Sequence, residues 1–600
     1  MMFKLTTHHL SYLFAGVMAV TVAVPSVAAD RVTFVVPSAV PDLREALGAT
    51  SSVAALIRDT PDASGDEILG AALSDYAALT RVLYAEGRYG GTVNILIDGR
   101  EAADIPLLDT PASIQRVRIV VDPGPLYRFG DVRIGPIHPG TTKAVPQGGA
   151  PARATDVRDG LDAVVTGWRT VGHAYAAPAG QDIVADHASD TLDVAVGIDP
   201  GPRITFGRYR IATPSMVRES AIRRIAGNPE GLTYSPEIIA EAERRLRRTG
   251  AFASVTITEP DAPPQDAVMD PVLRLVDEKP RRFGFGAEVA SAEGVTVSAF
   301  WLHRNLFGGA ERFRAEAEVG DLGGARSGVD YSLTTRLDIP AIYGTDTGGF
   351  VMAEAERRNE PTFSTDRVEL GFGVNRRLSD RLTSEVALTY LWSQATTPSG
   401  TQTFNLVNLP ATITYDSRDD ALDPTSGFYA QAEVTPFLGL GASASGVRAY
   451  GDARAYRALG GSTVVAGRLQ FGTVYGPAPQ ATYPDYLFYS GGGGTVRGQP
   501  YQSLFATYAN GQTGGGQSFA AASLEVRQSV TDNFQAVGFV DYGFLTASSG
   551  FSGASGSHAG AGLGIRYTTP VGPIRFDVAT PISGNTGQGL QFYIGIGQAF

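Results

Sequence analysis

Apolar and polar residues alternate along most of the second half of the chain, from residue 281 to residue 600. Near the end, for example, Ile574 and Phe576 alternate with Arg575 and Asp577. A period of two predicts β-strands whose two faces meet different surroundings. The alternating runs begin near residues 282, 294, 312, 328, 348, 367, 382, 405, 427, 446, 463, 518, 534, 558, 572 and 589. Sixteen strands are therefore predicted over residues 281–600, an even number that fits an antiparallel transmembrane β-barrel.

The first half of the chain mixes helical and strand patterns. The segment Asp122-Pro123-Gly124-Pro125 recurs as Asp199-Pro200-Gly201-Pro202, so each copy marks a boundary between small repeated units. Each unit has a helical stretch followed by strands, and the helical stretches are Asp66–Arg88, Ala154–Val171 and Pro236–Arg248. The pattern predicts three α+β domains of order β-α-α-β-β at residues 30–125, 126–201 and 202–280, joined to the barrel by the polar segment 277–282.

The N-terminus has the pattern of an export signal over residues 1–29. Lys4 precedes the apolar stretch Leu10–Val24, and the small residues Val27-Ala28-Ala29 offer a cleavage site. A transmembrane anchor is the alternative, but this stretch is shorter than the ~20 residues that span a bilayer. No later run has 18 consecutive apolar residues. A membrane crossing by the mature chain would therefore require strands.

Composition narrows the function classes. The formal net charge of −12 argues against nucleic acid as a partner. The absence of cysteine excludes disulfides and thiolate metal sites, and the seven histidines form no HExxH-type pair. No Gly-x-Ser-x-Gly motif or other catalytic constellation is present. We therefore expect a protein that is not an enzyme and that has no catalytic residues, metal or other cofactor.

The longest interruption of the alternation, Gly476–Gln517, follows the eleventh predicted strand and contains four glycines followed by Val496-Arg497-Gly498-Gln499. A phosphate-binding reading of the glycines lacks the following helix and Lys-Ser/Thr. Strand parity directs Phe539 and Asp541 to the same face, which can be the lumen of the barrel. A confined guanidinium requires a carboxylate, so Arg497 is predicted to pair with Asp541 inside the barrel. The alternative is a surface loop with a solvated arginine.

Together these motifs resemble the BamA/TamA superfamily of outer-membrane assembly factors, in which POTRA domains precede a barrel. The sixth extracellular loop of that superfamily bears a Val/Ile-Arg-Gly-aromatic motif. Here it corresponds to Val496, Arg497 and Gly498, with Gln499 in place of the aromatic, and Tyr501 is similar to a tyrosine of the TamA branch. Further matches are a barrel turn (Asp416, Arg418, Asp419, Pro424, Gly427), a strand motif (Phe539, Asp541) and the C-terminal strand (Gly595, Gly597, Phe600).

The resemblance implies an outer-membrane location in a Gram-negative bacterium, with the POTRA domains in the periplasm. Three such domains favour the TamA branch, which implies client β-barrel proteins such as autotransporters and an inner-membrane-anchored, TamB-like partner. The first and last strands, near Phe283–Ala290 and Gln591–Phe600, are rich in glycine and are predicted to pair weakly. A client strand could then add to the open edge. A two-partner secretion transporter and a passive channel remain alternatives.

Overall fold

The computed structural model describes residues 31–37, 41–141, 145–290, 294–323, 328–569 and 572–596. The predicted export signal lies outside the described residues, and so do Gly597 and Phe600 of the predicted C-terminal strand. The chain divides into two compact units, residues 1–203 and residues 204–600. The second unit therefore contains the third predicted α+β domain together with the barrel.

The first unit contains two small sheets with their helices. Helix α3 begins with a capping box, in which Ser64 and Glu67 each bind the backbone N–H of the other. Its buried leucines pack against the strand residues Ile95 and Ile119. The elements are β1 (Val32–Val35), α1 (Pro41–Thr50), α2 (Ser52–Asp59), α3 (Gly65–Ala85), β2 (Thr92–Ile97), β3 (Arg100–Glu101), β4 (Val117–Asp122), β5 (Arg128–Gly135), α4 (Ala154–Thr170), β6 (Ala177–Asp186) and β7 (Thr191–Asp199).

The second unit begins with a three-stranded sheet, a two-stranded sheet and two helices. Their elements are β8 (Thr205–Phe206), β9 (Arg210–Ile211), α5 (Glu219–Ala226), α6 (Pro236–Arg248), β10 (Phe252–Thr258), β11 (Val268–Met269) and β12 (Val272–Asp277). The three-stranded sheet consists of β9, β12 and β10, and the two-stranded sheet consists of β8 and β11. The orders β1-β4-β2, β5-β7-β6 and β9-β12-β10 are equivalent: a late strand lies in the middle, parallel to the first strand. The internal repeat in the sequence thus corresponds to a repeated sheet topology.

The predicted helix count is correct only for the third group. Three helices precede β2, because Ser51 interrupts the helical stretch and caps α2 by accepting a hydrogen bond from the N–H of Ala54. The second group has only α4 among its described residues. The segment before α4 contains Pro136, Pro139, Pro146 and Pro151, and prolines lack the N–H that a helix interior needs.

The remaining strands form one large antiparallel sheet in chain order. This confirms the predicted antiparallel sheet of barrel type. The strands are β13 (Arg281–Ala290), β14 (Gly294–His303), β15 (Arg312–Leu322), β16 (Asp330–Ile339), β17 (Thr347–Glu360), β18 (Phe363–Arg377), β19 (Leu382–Thr397), β20 (Gly400–Asn408), β21 (Ala411–Asp416), β22 (Gly427–Gly439), β23 (Gly446–Leu459), β24 (Thr463–Tyr475), β27 (Ser518–Ser529), β28 (Phe534–Ser548), β29 (Ser552–Tyr567), β30 (Ile574–Ser583) and β31 (Gln591–Ile596). Between β24 and β27, the short strands β25 (Ala506–Thr507) and β26 (Thr513–Gly514) pair with each other.

Most strands begin within 2 residues of the predicted starts. The exceptions are β18, β20 and β29, which begin earlier than predicted. The eighth predicted strand consists of two segments, β20 and β21, and both segments pair with β19 and β22. Pro410 lies between them, and its missing N–H interrupts the ladder.

The barrel has apolar side chains outside and charged side chains inside. On the outer face Phe285 is 86% exposed and Leu563 is 73% exposed. On the inner face Arg336 of β16 donates hydrogen bonds to Glu385 of β19. This arrangement is the reverse of a water-soluble protein and suits a lipid environment. Among the described residues, no helix combines the length and the apolar character needed to cross a membrane.

The first and last strands of this sheet pair with each other within the described residues. The ladder between β13 and β31 has the residue pairs Val289–Ile594 and Ala290–Tyr593, whereas β13 pairs with β14 along its whole length. Gly284 and Gly286 of β13 and Gly595 of β31 supply no side chain to this region. Glycine lowers the stability of a strand because it contributes no side chain to cross-strand contacts.

An ion-pair network connects α6 to the barrel turn between β16 and β17. Arg245 donates two hydrogen bonds to Asp346, at 3.1 and 2.7 Å, and Arg248 lies 3.4 Å from the same carboxylate. Burial would raise the pKa of Asp346, but hydrogen bonds from Arg245 and from the hydroxyl of Thr345 lower it below its ordinary value of 3.8. The third α+β domain is thus fixed to one end of the barrel by this network.

We predict that Asp346→Asn loosens α6 from the barrel, because the neutral amide cannot pair with both arginines. Amide hydrogen exchange of residues 240–248 should become faster, while exchange in the barrel strands stays unchanged. Asp380→Asn is the matched control, since Asp380 lies in a neighbouring turn and pairs with Arg377 of the barrel at 3.8 Å. Equal exchange in the two variants would contradict the role of Asp346.

The depressed pKa of Asp346 gives this contact a pH dependence. A carboxylate with a lowered folded-state pKa stabilises the contact at all pH values above the unfolded pKa, and the contribution is lost as the pH falls through the folded pKa. We therefore expect the α6–barrel contact to persist down to about pH 4 and to weaken below it. The protection factors of residues 240–248, measured between pH 5 and pH 3 in the parent and in Asp346→Asn, check this. Those of the parent should fall below about pH 4, and those of Asp346→Asn should stay constant.

Candidate functional site

The candidate site is the segment of residues 476–517, which we call the inner loop, together with the barrel wall around it. Phe488 and Leu504 of the loop belong to a buried apolar cluster with wall residues such as Phe437, Phe519 and Leu545. Backbone pairing within the loop stabilises it further, since Phe488 forms a β-bridge with Gly516 and Ser490 forms one with Leu504. The inner loop is therefore packed inside the barrel rather than solvated outside it.

Glycines allow the loop to approach the wall. Gly498 has a φ of +89°, and a Cβ there would lie 2.6 Å from the carbonyl oxygen of Thr580 on β30. On β29 a Cβ at Gly560 would lie 1.9 Å from the carbonyl oxygen of Arg497. Side chains at either position would collide with backbone, so a residue larger than glycine would push the loop off the wall.

Arg497 lies at the centre of the contact between loop and wall and is 3% exposed. Its Nε and Nη2 donate to the two carboxylate oxygens of Asp541 at 2.8 and 3.1 Å, and its backbone N–H donates to the same carboxylate at 3.0 Å. The structure thus brings together the arginine and the aspartate that sequence parity paired. The ring of Phe539 lies below the guanidinium, with 3.5 Å from Cζ to the ring centroid.

Two further carboxylates bind the same guanidinium. Nη1 of Arg497 donates to Glu525 on β27 at 3.0 Å and to Asp577 on β30 at 3.3 Å. These carboxylates also bind wall arginines: Arg527 donates to Glu525 at 2.7 Å, and Arg566 of β29 donates to Asp577. Three arginines and three acids are thereby buried together. We call this group the charge cluster, and its members are Arg497, Glu525, Arg527, Asp541, Arg566 and Asp577.

Charge balance explains how this group can be buried. Six ionised groups in a low-dielectric site would be very unfavourable if unpaired, but three positive and three negative charges with direct hydrogen bonds compensate one another. The wall alone supplies two arginines and three acids. Arg497 completes the balance, so the loop contributes the missing positive charge to a prepared site on four adjacent strands.

Other loop residues contact other parts of the wall. Val496 is fully buried, and the hydroxyl of Tyr501 donates to Glu360 at the end of β17 at 3.2 Å. Asp485 accepts a hydrogen bond from Arg358 of β17 at 3.2 Å. Arg468 of β24 donates to the carbonyl oxygen of Gly494. The loop is thus hydrogen-bonded to β17 and β24 as well as to the strands of the charge cluster.

The predicted barrel turn is a salt-linked turn. Arg418 donates through Nε and Nη2 to Asp416, at 3.0 and 2.8 Å, and Asp419 accepts backbone hydrogen bonds from Thr425 and Ser426. Gly427 has a φ of +103°, and a Cβ there would lie 2.3 Å from the carbonyl oxygen of Ser417. The carbonyl oxygen of Pro424 accepts a hydrogen bond from Arg527. The turn therefore reaches the charge cluster through Arg527.

Sequence reasoning missed four members of the charge cluster: Glu525, Arg527, Arg566 and Asp577. The available signal was their parity, because charged residues that alternate with apolar ones in a barrel strand face the lumen. Gly595 was singled out with the predicted C-terminal strand, and a Cβ at that position would lie 3.0 Å from Nε of Arg575. No group of three His, Asp or Glu side chains in the described part of the chain is arranged to hold a metal ion.

Comparisons with known proteins agree with this architecture. The Omp85 superfamily domain matches residues 305–600, which include the inner loop and the complete charge cluster.

Residues 305–600 are thus similar to the Omp85 superfamily domain.

Solved structures resemble the chain in fold. BamA from Haemophilus ducreyi lacking POTRA domains 1–3 superposes with a TM-score of 0.62 at 16% sequence identity, covering 78% of this chain and 99% of that chain. CdiB from Acinetobacter baumannii gives a TM-score of 0.49 at 12% identity, covering 79% of this chain and 90% of that chain. The BamA match extends beyond the Omp85 domain, so the shared fold includes part of the α+β region.

We predict that Arg497→Ala destabilises the barrel strongly, because it leaves three buried carboxylates facing two arginines. Removing one partner of a buried pair costs about 3–5 kcal/mol, whereas solvent screens an exposed pair and makes its loss small. Arg357→Ala is the matched control, since Arg357 forms a similar fork with Asp366 and is 58% exposed. Denaturant unfolding in lipid vesicles should give a lower unfolding midpoint for Arg497→Ala than for Arg357→Ala. Proteinase K should cut the inner loop only in Arg497→Ala. Similar unfolding midpoints would contradict the account.

Proposed function

We propose that this protein inserts and assembles β-barrel proteins in the outer membrane of a Gram-negative bacterium. The observation that carries the proposal is the inner loop, which is fixed in the lumen by the buried Arg497. A passive channel needs an open lumen, whereas here the loop is bound to β17 and to the strands of the charge cluster. An interior built to hold a loop in one position is better suited to controlling a barrel than to conducting solutes.

The barrel edges supply the proposed mechanism. Among the described residues, β13 pairs with β31 through Val289–Ile594 and Ala290–Tyr593, and we propose that the two strands separate at this contact. The separated edges would present unpaired N–H and C=O groups, and an incoming client strand could pair with them. We propose that the protein acts as such a template, without bond chemistry, in a barrel of sixteen strand positions in which β20 and β21 share one position.

The α+β region bears on the type of assembly factor. Three small sheets of one topology precede the barrel, and we propose that they are three periplasmic POTRA domains at residues 30–125, 126–201 and 202–280. Strand β6 forms the edge of its sheet and is exposed along nearly its whole length, so it can accept a further strand. This arrangement supports the TamA type, with autotransporter-like clients and a TamB-like partner.

We predict that a disulfide between Val289→Cys and Ile594→Cys blocks client insertion, because it prevents β13 and β31 from separating. The chain has no native cysteine, so the introduced pair has no competitor. Ala287→Cys with Val297→Cys is the matched control, since it links β13 to β14, which remain paired. In cells that depend on the variant, the amounts of outer-membrane β-barrel proteins should decrease under oxidising conditions. They should recover when a reductant is added.

Three other results would overturn parts of the proposal. Normal client levels with a fully formed 289–594 disulfide would exclude strand templating. Loss of one secreted polypeptide with normal outer-membrane proteins would indicate a two-partner secretion transporter instead. Large steady conductance of the unmodified protein in planar bilayers would indicate a channel.

A further inference from the structure

Gln499 stands where the resembled motif has an aromatic residue, and it is fully buried. Its amide nitrogen donates to the carbonyl oxygen of Ala559 on β29 at 2.8 Å and to that of Ser583 on β30 at 3.0 Å. Its amide oxygen accepts a hydrogen bond from the hydroxyl of Thr586 at 2.9 Å. Every polar atom of this side chain thus has a partner outside the inner loop, which no aromatic side chain could provide.

Donor and acceptor roles in this group follow from counting hydrogens. Two carbonyl oxygens face the Gln499 nitrogen, so the amide cannot be flipped. The single hydroxyl hydrogen of Thr586 goes to Gln499, so Thr586 accepts from Nδ1–H of His558 at 2.9 Å. Nε2 of His558 is then the acceptor, and it binds the hydroxyl of Ser490 at 2.8 Å. One continuous chain of hydrogen bonds leaves the inner loop at Ser490 and returns to it at Gln499.

The ladder between β29 and β30 is irregular where Gln499 binds. Ala559 pairs with Ser583 but Gly560 pairs with Pro581, so one residue of β30 is left over as a bulge. Pro581 has no N–H to donate. The two Gln499 hydrogens therefore satisfy carbonyl groups at a point where the sheet itself offers few donors, which makes the site specific for an amide side chain.

Residues 584–590, which connect β30 to β31, also pack on the inner loop. We call them the terminal hairpin loop. A Cβ at Gly587 would lie 2.5 Å from Cδ of Pro500 and 2.9 Å from the amide oxygen of Gln499. A Cβ at Gly584 would lie 2.7 Å from Cβ of His558. Past this hairpin loop, the hydroxyl of Tyr593 on β31 accepts a hydrogen bond from the N–H of Gly498.

We infer that Gln499, Thr586, His558 and Ser490 form a polar clasp that couples the inner loop to the terminal hairpin loop and, through it, to the edge strand β31. When the inner loop moves away from the wall, the terminal hairpin loop loses its hydrogen bonds to Gln499 and His558. Strand β31 then becomes less firmly held. The inference deepens the proposed function, on which it rests, by naming Gln499 as the positioning residue between the loop and the edge at which client strands would be received.

The test is amide hydrogen exchange of the full-length protein in lipid nanodiscs. Gln499→Leu keeps the size of the side chain but removes its amide, and Thr586→Val removes the hydroxyl isosterically. Each should accelerate exchange of residues 584–590 by about tenfold and also accelerate exchange of residues 490–500. The double variant should exchange no faster than the faster single variant, because both substitutions break the same connection.

Gln517→Leu is the matched control, since buried Gln517 donates to the carbonyl oxygen of Pro477 at the base of the inner loop and has no bond to the terminal hairpin loop. This variant should leave the amide hydrogen exchange of residues 584–590 unchanged. If Gln499→Leu is not recovered in membranes, Thr586→Val alone tests the same connection from the other side. Unchanged exchange of residues 490–500 in Thr586→Val would overturn the clasp, as would additive effects in the double variant.

The clasp and the proposed function fail in different ways. If Arg497→Ala or the 289–594 disulfide blocks client insertion while Gln499→Leu leaves residues 584–590 unchanged, the proposed function stands and the clasp is wrong. If exchange of residues 584–590 rises as expected while client insertion is insensitive to the disulfide, the clasp stands and the proposed function is wrong.

Discussion

A guanidinium buried inside a barrel must have its charge compensated, and the rest of this structure is arranged around that requirement. Arg497 comes from a loop, while its compensating acids come from β27, β28 and β30. The strands alone would hold an unbalanced excess of buried negative charge. The loop and the wall are therefore incomplete without each other, and this mutual dependence selects one position of the loop more sharply than apolar packing could.

Space for the loop is created by small residues on the wall. Gly543, Gly560 and Gly562 each face atoms of the loop or of Phe539 so closely that a Cβ would collide. Glycine in a strand normally lowers its stability, so this row has a cost in the isolated sheet. The cost is offset when the loop packs against it. The same logic applies at the bulge of β30, where Gln499 provides the donors that Pro581 lacks.

Strand positions were predictable because a period of two gives the strand and also tells which residues face inward. Parity placed Asp541 on the inner face, and the resemblance of the loop and strand motifs to the superfamily favoured its pairing with Arg497. Glu525 and Asp577 were missed because parity does not tell which inward residues meet across strands, which depends on register and on the path of the loop. Gln499 departs from the resembled motif, so the motif suggests no partner for it. Its partners are backbone carbonyls and Thr586, and no sequence pattern reveals that geometry. The break at Pro410 was predictable in kind, but the pairing of both segments with the same neighbours was not.

Cysteine accessibility of the inner loop tests the central claim most directly. Val496 is fully buried beside Arg497, and the chain has no native cysteine, so Val496→Cys reports on this position alone. The account predicts that Val496→Cys is protected from a water-soluble maleimide in native membranes and becomes reactive when Arg497→Ala is added. Rapid labelling of Val496→Cys in the otherwise unmodified protein, or undiminished protection without Arg497, would contradict the claim that this arginine holds the loop in the lumen.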